Sequence, residues 1–210
     1  MSVIERLLRR DVHAGIDVIG DITLEPMHRR DLRHGVMEIE AVSYPRTWSH
    51  GVFESELAQV RSGTRRYLVA RRVDGHSPER GRRRGRARSR SRGRIVGFAG
   101  LWLNGDEAHV TNVAVQPEQQ RNGIATALLL ALADAAIARR CLGWTLEVRV
   151  SSTGAQELYR RFGFSPAGVR ARYYENTEDA IVMWCNDIQG DEYRALLDSI
   201  RADAERRGSS

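Results

Sequence analysis

The sequence predicts an α/β protein with one principal domain, and two features of the chain carry that prediction. Its 210 residues suit a single sizeable core, since a domain typically takes roughly 150 residues. Its second half alternates between strand and helix. The pattern predicts a strand over 109–115, a helix over 123–140, a strand over 144–150 and a helix over 154–162. This alternation is typical of an α/β core that contains a parallel pair of strands.

The remaining elements follow from hydrophobic periodicity and from helix and turn signals. Ser49 is a plausible N-cap for a helix whose apolar face includes Phe53, Leu57 and Val60. The other predicted elements are a short strand over 22–25, helices over 27–41 and 49–62, and strands over 66–71, 94–103, 169–174 and 180–186.

The composition excludes several classes of protein. With 41% hydrophobic and 29% charged residues, the chain has the make-up of a globular protein and not of a disordered one. Residues 1–10 lack the apolar stretch of a signal peptide, and no later run approaches the roughly 18 apolar residues of a membrane span. We therefore expect a cytoplasmic protein.

Cys141 and Cys185 lie far apart and the six histidines are scattered, which predicts core cysteines and no metal site.

The net charge of +6 is concentrated in one segment. Residues 80–94 contain nine arginines and no acidic residue, so without them the net charge would be −3. The stretch over 74–93 is made largely of Arg, Gly and Ser, and is predicted to be a disordered loop between two strands of a hairpin. Two interpretations stay open: a solvated loop, or weak contact with ribosomal RNA or another polyanion.

A last amphipathic helix is indicated by Tyr193, Leu196, Leu197 and Ile200, which are spaced i, i+3, i+4, i+7. Docking of this helix on its own domain is favoured over binding to a partner, and both interpretations remain open.

The most informative segment joins the strand over 109–115 to the helix over 123–140. The strand ends at Pro117, and Gly123 opens the helix after a short polar turn. A helix start offers unpaired N–H groups and the positive end of the helix dipole to an anion. Gly123 and Ala125 are small, so a phosphate can approach the backbone closely. These features alone do not exclude an ordinary turn with one glycine.

The run Gln120-Arg121-Asn122-Gly123-Ile124-Ala125 resembles the Q/R-x-x-G-x-G/A signature of the GNAT acetyltransferase superfamily. The resemblance implies acetyl-CoA as cosubstrate and the GNAT fold, an α/β fold with a mixed sheet of about six or seven strands flanked by helices. In that family the loop holds the pyrophosphate of coenzyme A, and the preceding strand offers backbone groups to the pantetheine arm. The implied coenzyme-binding residues are Val113, Ala114, Val115, Arg121, Asn122, Gly123, Ile124, Ala125, Thr126 and Ser152.

Two further residues are candidates for the chemistry. Glu147 is a carboxylate in the middle of an apolar strand, and Tyr159 lies in the following helix. On pattern alone, Glu147 could equally be a solvated or Arg149-paired residue and Tyr159 a core aromatic. The segments 146–149 and 158–164, however, resemble the RimI branch of the superfamily, which acetylates the N-terminal alanine of a small-subunit ribosomal protein. The resemblance covers roughly residues 22–186 without the arginine segment.

The resemblance implies that Glu147 removes a proton from the acceptor amine and that Tyr159 protonates the departing thiolate. An α-amine has a reference pKa of about 7.8 against about 10.4 for lysine, so presenting it neutral costs about 3.5 kcal/mol less, which favours an N-terminus. Two residues depart from the family pattern. Ser152 stands where Asn is usual, and Trp48 is displaced from the usual position of the tryptophan. The implied acceptor-binding residues are Tyr44, Trp48, Arg149, Tyr173 and Tyr174.

The expected domains are an N-terminal extension over 1–20, an acetyltransferase domain over 21–188, and a C-terminal helix and tail over 189–210. Two rival functions stay open. One is a lysine or small-amine acetyltransferase on the same fold. The other is an RNA-binding protein with a degenerate acetyltransferase fold, which the presence of Glu147, Tyr159 and the Gly123 loop disfavours.

Overall fold

The computed structural model describes residues 17–19, 22–72 and 93–208. Side chains are described for residues 22–72 and 93–207. Its strands form one mixed sheet in the order β1-β2-β3-β4-β5-β6-β8-β7, in which only β5 and β6 are parallel neighbours. The strands are β1 (Asp17–Ile19), β2 (Ile22–Pro26), β3 (Arg65–Arg72), β4 (Arg94–Asn104), β5 (Glu107–Val115), β6 (Gly143–Arg149), β7 (Ser165–Tyr174) and β8 (Glu178–Asn186).

Helices cover both faces of this sheet. Along β3, Tyr67 and Val69 belong to one hydrophobic cluster while Leu68 and Ala70 belong to another, as the alternation of a strand requires. The predicted mixed α/β sheet is therefore confirmed. The helices are α1 (Arg29–Asp31), which continues through a kinked turn (Leu32–Val36) into α2 (Met37–Ser43), then α3 (His50–Ala58), α4 (Ile124–Ala138), α5 (Thr153–Arg161) and α6 (Asp191–Gly208).

Each predicted strand and helix in the described ranges is present, although several boundaries were wrong. The helix predicted from residue 27 begins at Arg29, because His28 is still extended. The helix predicted over 49–62 ends at Ala58, while Ser49 is its N-cap and accepts from the Val52 N–H at 3.3 Å. Strand β1 lies within the predicted N-terminal extension over 1–20 and pairs with β2 at the edge of the sheet.

The parallel β5–β6 pair and the hairpin of β3 and β4 are as the sequence predicted. The segment 74–93 connects the two hairpin strands, and all of it except Gly93 lies outside the described residues. Its predicted disorder and the alternative of RNA contact stay predictions. No described helix is long and apolar enough to cross a membrane.

The C-terminal helix docks on its own domain. Tyr193, Leu197 and Ile200 are buried in the same hydrophobic cluster as α4, and Leu196 packs against it. The side chain of Arg201 also pairs with Asp134 on α4. The favoured interpretation of this helix is therefore confirmed. Cys141 and Cys185 are buried, free and part of the same cluster, as predicted.

A buried ion pair ties the first helical segment to the sheet. The Arg71 guanidinium on β3 lies 2.5 Å from Asp31 Oδ1 and 3.0 Å from Glu25 Oε2. The Arg71 and Asp31 side chains are 5% and 3% exposed. Because water is largely excluded, removal of Asp31 leaves the buried guanidinium with the half-exposed Glu25 carboxylate as its remaining acidic partner, which compensates the charge less well.

Asp31→Ala is therefore expected to lower the free energy of unfolding by about 3 to 5 kcal/mol, as measured by denaturant unfolding. The matched control is Asp134→Ala, which removes a carboxylate from an ion pair whose members are 45% and 36% exposed. That variant should lose at most about 1 kcal/mol, since exposed ion pairs contribute little. Equal losses in the two variants would contradict the assignment.

Candidate functional site

The site is set by the separation of two parallel strands. Strands β5 and β6 pair only at Glu107↔Gly143, Ala108↔Trp144 and His109↔Thr145. Beyond these positions β5 continues to Val115 and β6 to Arg149 without pairing to each other. The strands therefore leave a gap in the middle of the sheet, at which backbone groups and side chains of both strands are available to a ligand.

A bulge in β5 accompanies this separation. The register of β4 and β5 shifts between Gly100 and Leu101, where Thr111 is the extra residue on β5. Bulges bend a strand and increase its twist. Gly100 is required opposite the bulge, because a Cβ there would lie 2.3 Å from the Tyr67 ring and 2.5 Å from Thr111 Oγ1.

A cleft of about 970 Å³ opens at the gap, and a second of about 610 Å³ adjoins it at the start of α4. Val113, Val115 and Tyr159 line both. The first also contains the predicted residues Tyr44, Trp48, Ala114, Glu147, Arg149, Ser152, Tyr173 and Tyr174, and the second contains Arg121, Gly123, Ile124, Ala125 and Thr126. Of the residues predicted to bind ligands, Asn122 alone lines neither cleft.

Glu147 lies in the first cleft with its side chain 8% exposed. One carboxylate oxygen is 3.0 Å from His109 Nε2 on β5, and the other is 3.1 Å from an Arg170 terminal nitrogen on β7. Arg149 is not its partner: that guanidinium pairs with Glu175 and Glu178, both at 2.8 Å, and stacks on the Tyr174 ring. The alternative in which Glu147 pairs with Arg149 is thus wrong.

The surroundings of Glu147 determine its protonation. Burial raises the pKa of the carboxyl, but the His109 hydrogen bond and charge, together with the Arg170 charge, outweigh burial and lower the pKa below its usual value. A depressed pKa means that the carboxylate is charged at neutral pH and loses its charge only in acid. Glu147 is therefore in the correct state to accept a proton, although as a weak base.

Tyr159 lies across the gap on α5, with 9% of its surface exposed. Burial raises the pKa of its phenol to about 12. The hydroxyl is consequently protonated at neutral pH and is able to donate a proton or a hydrogen bond. Its ring also packs against Phe164, at a centroid distance of 5.9 Å, so Tyr159 is a core aromatic and a lining residue at once.

The backbone of β5 faces the gap at two alternate residues. The Tyr44 hydroxyl donates to Val113 O at 2.8 Å and accepts from the Val113 N–H at 3.2 Å. Val115 O accepts from the Gln120 side chain at 3.4 Å. Since alternate residues of a strand turn their amide groups the same way, Val113 and Val115 both present them to the gap. A ligand that binds Val113 must displace the Tyr44 hydroxyl.

The second cleft has the features of an anion site. Gly123 is the N-cap of α4, with a left-handed backbone (φ +77°) and no side-chain cap, so the first-turn N–H groups are available. Arg121 and Arg161 line this cleft, and α6 adds Arg207 and Asp203. The arginines and the 15-residue helix together favour binding of phosphate groups. This arrangement fits the diphosphate of a coenzyme.

The cleft near Tyr44 combines aromatic and acidic groups. The backbone N–H of Trp48 donates to Glu40 Oε1 at 2.8 Å, and the Tyr174 hydroxyl donates to the backbone oxygen of Glu147 at 3.0 Å. Tyr173 is 47% exposed, so its ring is accessible from solvent. Acidic and aromatic groups of this kind suit a cationic amine before it loses its proton.

Three members of this site were not predicted from the sequence: His109, Arg170 and Glu40. His109 stands on the same face as Glu147 because it pairs with Thr145, two residues before Glu147. That relation depends on the register of two strands distant in sequence, and no local pattern encodes it. Among the described residues, no group of three or more His, Cys, Asp or Glu could hold a metal ion.

The sheet has two diverging parallel strands, a helix start suited to a phosphate, and a carboxylate and a phenol at the gap. Together these are the features of an acyl-transfer enzyme. The sequence model of the Acetyltransferase (GNAT) family matches residues 33–164, and the chain belongs to this family. Acetyl-CoA is the acetyl donor of GNAT enzymes, as the sequence resemblance implied.

Similar proteins point to one branch of the family. The chain is 33% identical over 159 residues to a Bacillus subtilis protein provisionally named a ribosomal protein bS18-alanine N-acetyltransferase, with 75% of this chain and 91% of the relative covered. It is 42% identical over 94 residues to the Escherichia coli K12 enzyme of that name, of which it covers 64%. The crystal structure of an Escherichia coli ribosomal-protein-S18-alanine N-acetyltransferase superposes with a TM-score of 0.61 and 27% identity, covering 79% of this chain and 94% of that one.

Acetyl-CoA is expected to raise the melting temperature, because a ligand at a hundredfold excess over its Kd adds about 2.7 kcal/mol to the stability of the native state. Gly123→Asp should abolish this shift, since it places a carboxylate where the diphosphate binds. Gly105→Asp is the matched control, because Gly105 also has a left-handed backbone (φ +63°) but lies in a turn outside both clefts. A normal shift in the folded Gly123→Asp protein would contradict the site.

Proposed function

We propose that this protein transfers the acetyl group of acetyl-CoA to the N-terminal α-amine of a protein, and that its acceptor is the N-terminal alanine of a bS18-type ribosomal protein. The observation that carries the proposal is the charged Glu147 carboxylate, buried at the gap between β5 and β6 and facing the same cleft as Tyr159. The acceptor is supported by the names of relatives that share a third or more of their aligned residues with this chain. Such an acceptor would require the cytoplasmic location expected from the sequence.

The catalytic roles follow from the chemistry of amide formation. An ammonium group is not nucleophilic, so a base must remove its proton before the nitrogen attacks the thioester carbonyl. Glu147 is the proposed base. The negative oxygen of the tetrahedral intermediate needs a donor, and the Val113 N–H faces the gap where that oxygen would form. Collapse of the intermediate releases coenzyme A as a thiolate, to which the proposed acid Tyr159 gives a proton.

The second cleft would hold the coenzyme. The first-turn N–H groups of α4, with Gly123 at the cap, would bind the diphosphate. Arg121 and Arg161 would neutralise part of its charge. The pantetheine arm would then displace the Tyr44 hydroxyl and follow the gap-facing amide groups of Val113 and Val115 toward Glu147, so that the thioester ends between the base and the acid.

The proposed acceptor is tested with a panel of peptides: one with the N-terminal sequence of bS18 and a free alanine, the same peptide with a blocked N-terminus and an internal lysine, and spermidine as a small amine. Mass spectrometry locates the acetyl group. The expected result is acetylation of the free alanine peptide alone. Preferential turnover of the lysine peptide or of spermidine would instead support the alternative of a lysine or small-amine acetyltransferase.

Glu147→Gln is expected to lower turnover of the preferred peptide by about 10² to 10⁴-fold at pH 7, the usual range for one positioned base. Its loss should shrink as the pH rises above about 7.8, because solution then supplies the neutral amine. Glu107→Gln is the matched control on the exposed start of β5. A Glu147→Gln rate close to wild type at pH 7 would exclude Glu147 as the base.

Tyr159→Phe tests the acid separately. Its defect lies in protonation of the thiolate, so raising the pH should not restore its rate, whereas it should restore that of Glu147→Gln. Turnover is followed from pH 6 to 9 by release of free thiol. The same pH dependence in both variants would show that the two roles are assigned wrongly.

A further inference from the structure

We propose that the C-terminal helix α6 forms part of the coenzyme site, and that Arg207 on this helix binds the 3′-phosphate of coenzyme A together with Arg161 at the end of α5. The inference rests on the proposed binding of the coenzyme in the second cleft. It concerns a part of the chain beyond residues 33–164, which are the residues that the family model matches. Helix α6 spans Asp191–Gly208 and is not included in that match.

The docking of α6 determines where Arg207 lies. Ile200 is buried in the hydrophobic cluster that α6 shares with α4. Positions 200, 203 and 207 are spaced i, i+3, i+7 and therefore lie on one face of the helix. That face is apolar at Ile200 and charged at Asp203 and Arg207, the two residues of α6 that line the second cleft. Arg207 is thus on the face by which the helix docks on the domain.

The charges of the second cleft favour an anionic ligand. Asp203 forms an ion pair with Arg206 of its own helix, which compensates its charge. Within the described part of the chain, none of the arginines that line the cleft forms an ion pair, so their guanidinium groups are available to a ligand. Apart from the Asp203 pair, three positive charges accompany the single negative charge of Glu157. The charged lining residues are Arg121, Glu157, Arg161, Asp203 and Arg207.

The order of groups along the coenzyme assigns these arginines to different phosphates. Val113, Val115 and Tyr159 line both clefts and mark the end of the second cleft that adjoins the gap, whereas Arg161 and Arg207 line the second cleft only. In coenzyme A the diphosphate joins the pantetheine arm to the ribose, which carries the 3′-phosphate. With the thioester at the gap and the diphosphate at the start of α4, the 3′-phosphate lies farther from the gap, where these two arginines are available.

The 3′-phosphate also needs donors that the helix start does not supply. A phosphate monoester carries a charge of about −1.5 to −2 at neutral pH. The first-turn N–H groups of α4 are committed to the diphosphate, so the second phosphate depends on side chains. A guanidinium group suits it, because its N–H groups form paired, charge-assisted hydrogen bonds with phosphate oxygens.

The experiment compares two ligands that differ by this one phosphate. Isothermal titration calorimetry at neutral pH gives the Kd of coenzyme A and of 3′-dephospho-coenzyme A. We expect the wild-type protein to bind coenzyme A about 10-fold more tightly than the dephospho form. Arg207→Gln should weaken binding of coenzyme A about 5-fold, while its Kd for the dephospho form should change by less than about twofold, since the exposed guanidinium loses only its phosphate contact.

Arg194→Gln is the matched control for a general effect of charge. It removes the same charge from the same helix, but Arg194 lies outside both clefts and pairs with Asp191, with side chains that are 54% and 98% exposed. Both Kd values of this variant should stay within about twofold of the wild type, because exposed ion pairs contribute little. Equal effects of Arg194→Gln and Arg207→Gln on coenzyme A would overturn the proposal.

A second variant repeats the measurement from the other helix. Arg161→Gln should also weaken binding of coenzyme A more than binding of the dephospho form, and the Arg161→Gln, Arg207→Gln double variant should bind both ligands about equally. Equal weakening of both ligands by Arg207→Gln would assign this arginine to the diphosphate and overturn the inference, as would an unchanged Kd for coenzyme A. Unchanged binding of both ligands by Gly123→Asp would instead refute the coenzyme cleft itself, and the inference with it.

Discussion

Strands β5 and β6 pair at three positions and then separate, and both clefts depend on that separation. A continuous parallel ladder would use the backbone groups of Val113 and Val115 for pairing and would fill the centre of the sheet. The bulge at Thr111 moves β5 out of line, and Gly100 makes the bulge sterically permissible. A local irregularity in one strand thus leaves amide groups that are not paired to a neighbouring strand and are bonded only by the side chains of Tyr44 and Gln120.

The rest of the sheet holds the gap open. On one face, α4 and α6 share a hydrophobic cluster with β4, β5 and β6. On the other, α2 and α3 pack on β3 and β4 and bring Tyr44 to Val113. The C-terminal helix has two effects, because it covers part of the core through Leu197 and reaches the second cleft through Arg207.

Charge and burial give the ionisable groups of the first cleft different protonation states. Glu147 is held as a carboxylate between His109 and Arg170, while Arg149 is occupied by two other carboxylates and the Tyr174 ring. Burial keeps the Tyr159 phenol protonated. A base and a proton donor can therefore coexist at the same pH, since opposite influences act on their pKa values.

The sequence by itself determined the order of elements, the parallel strand pair, the glycine-opened helix and, through resemblance, the family and its coenzyme. These features are encoded locally, in the periodicity of short segments and in the run 120–125. Helix ends were predicted less well. His28 is extended, and after Ala58 the chain changes to hydrogen bonds from residue i to i−3; hydrophobic spacing shows neither feature. Only the tertiary structure decided the partners of Glu147. His109 and Arg170 lie 38 and 23 residues from it in the chain and reach it through strand register, and a pattern within one segment cannot specify which residue of a distant strand lies opposite.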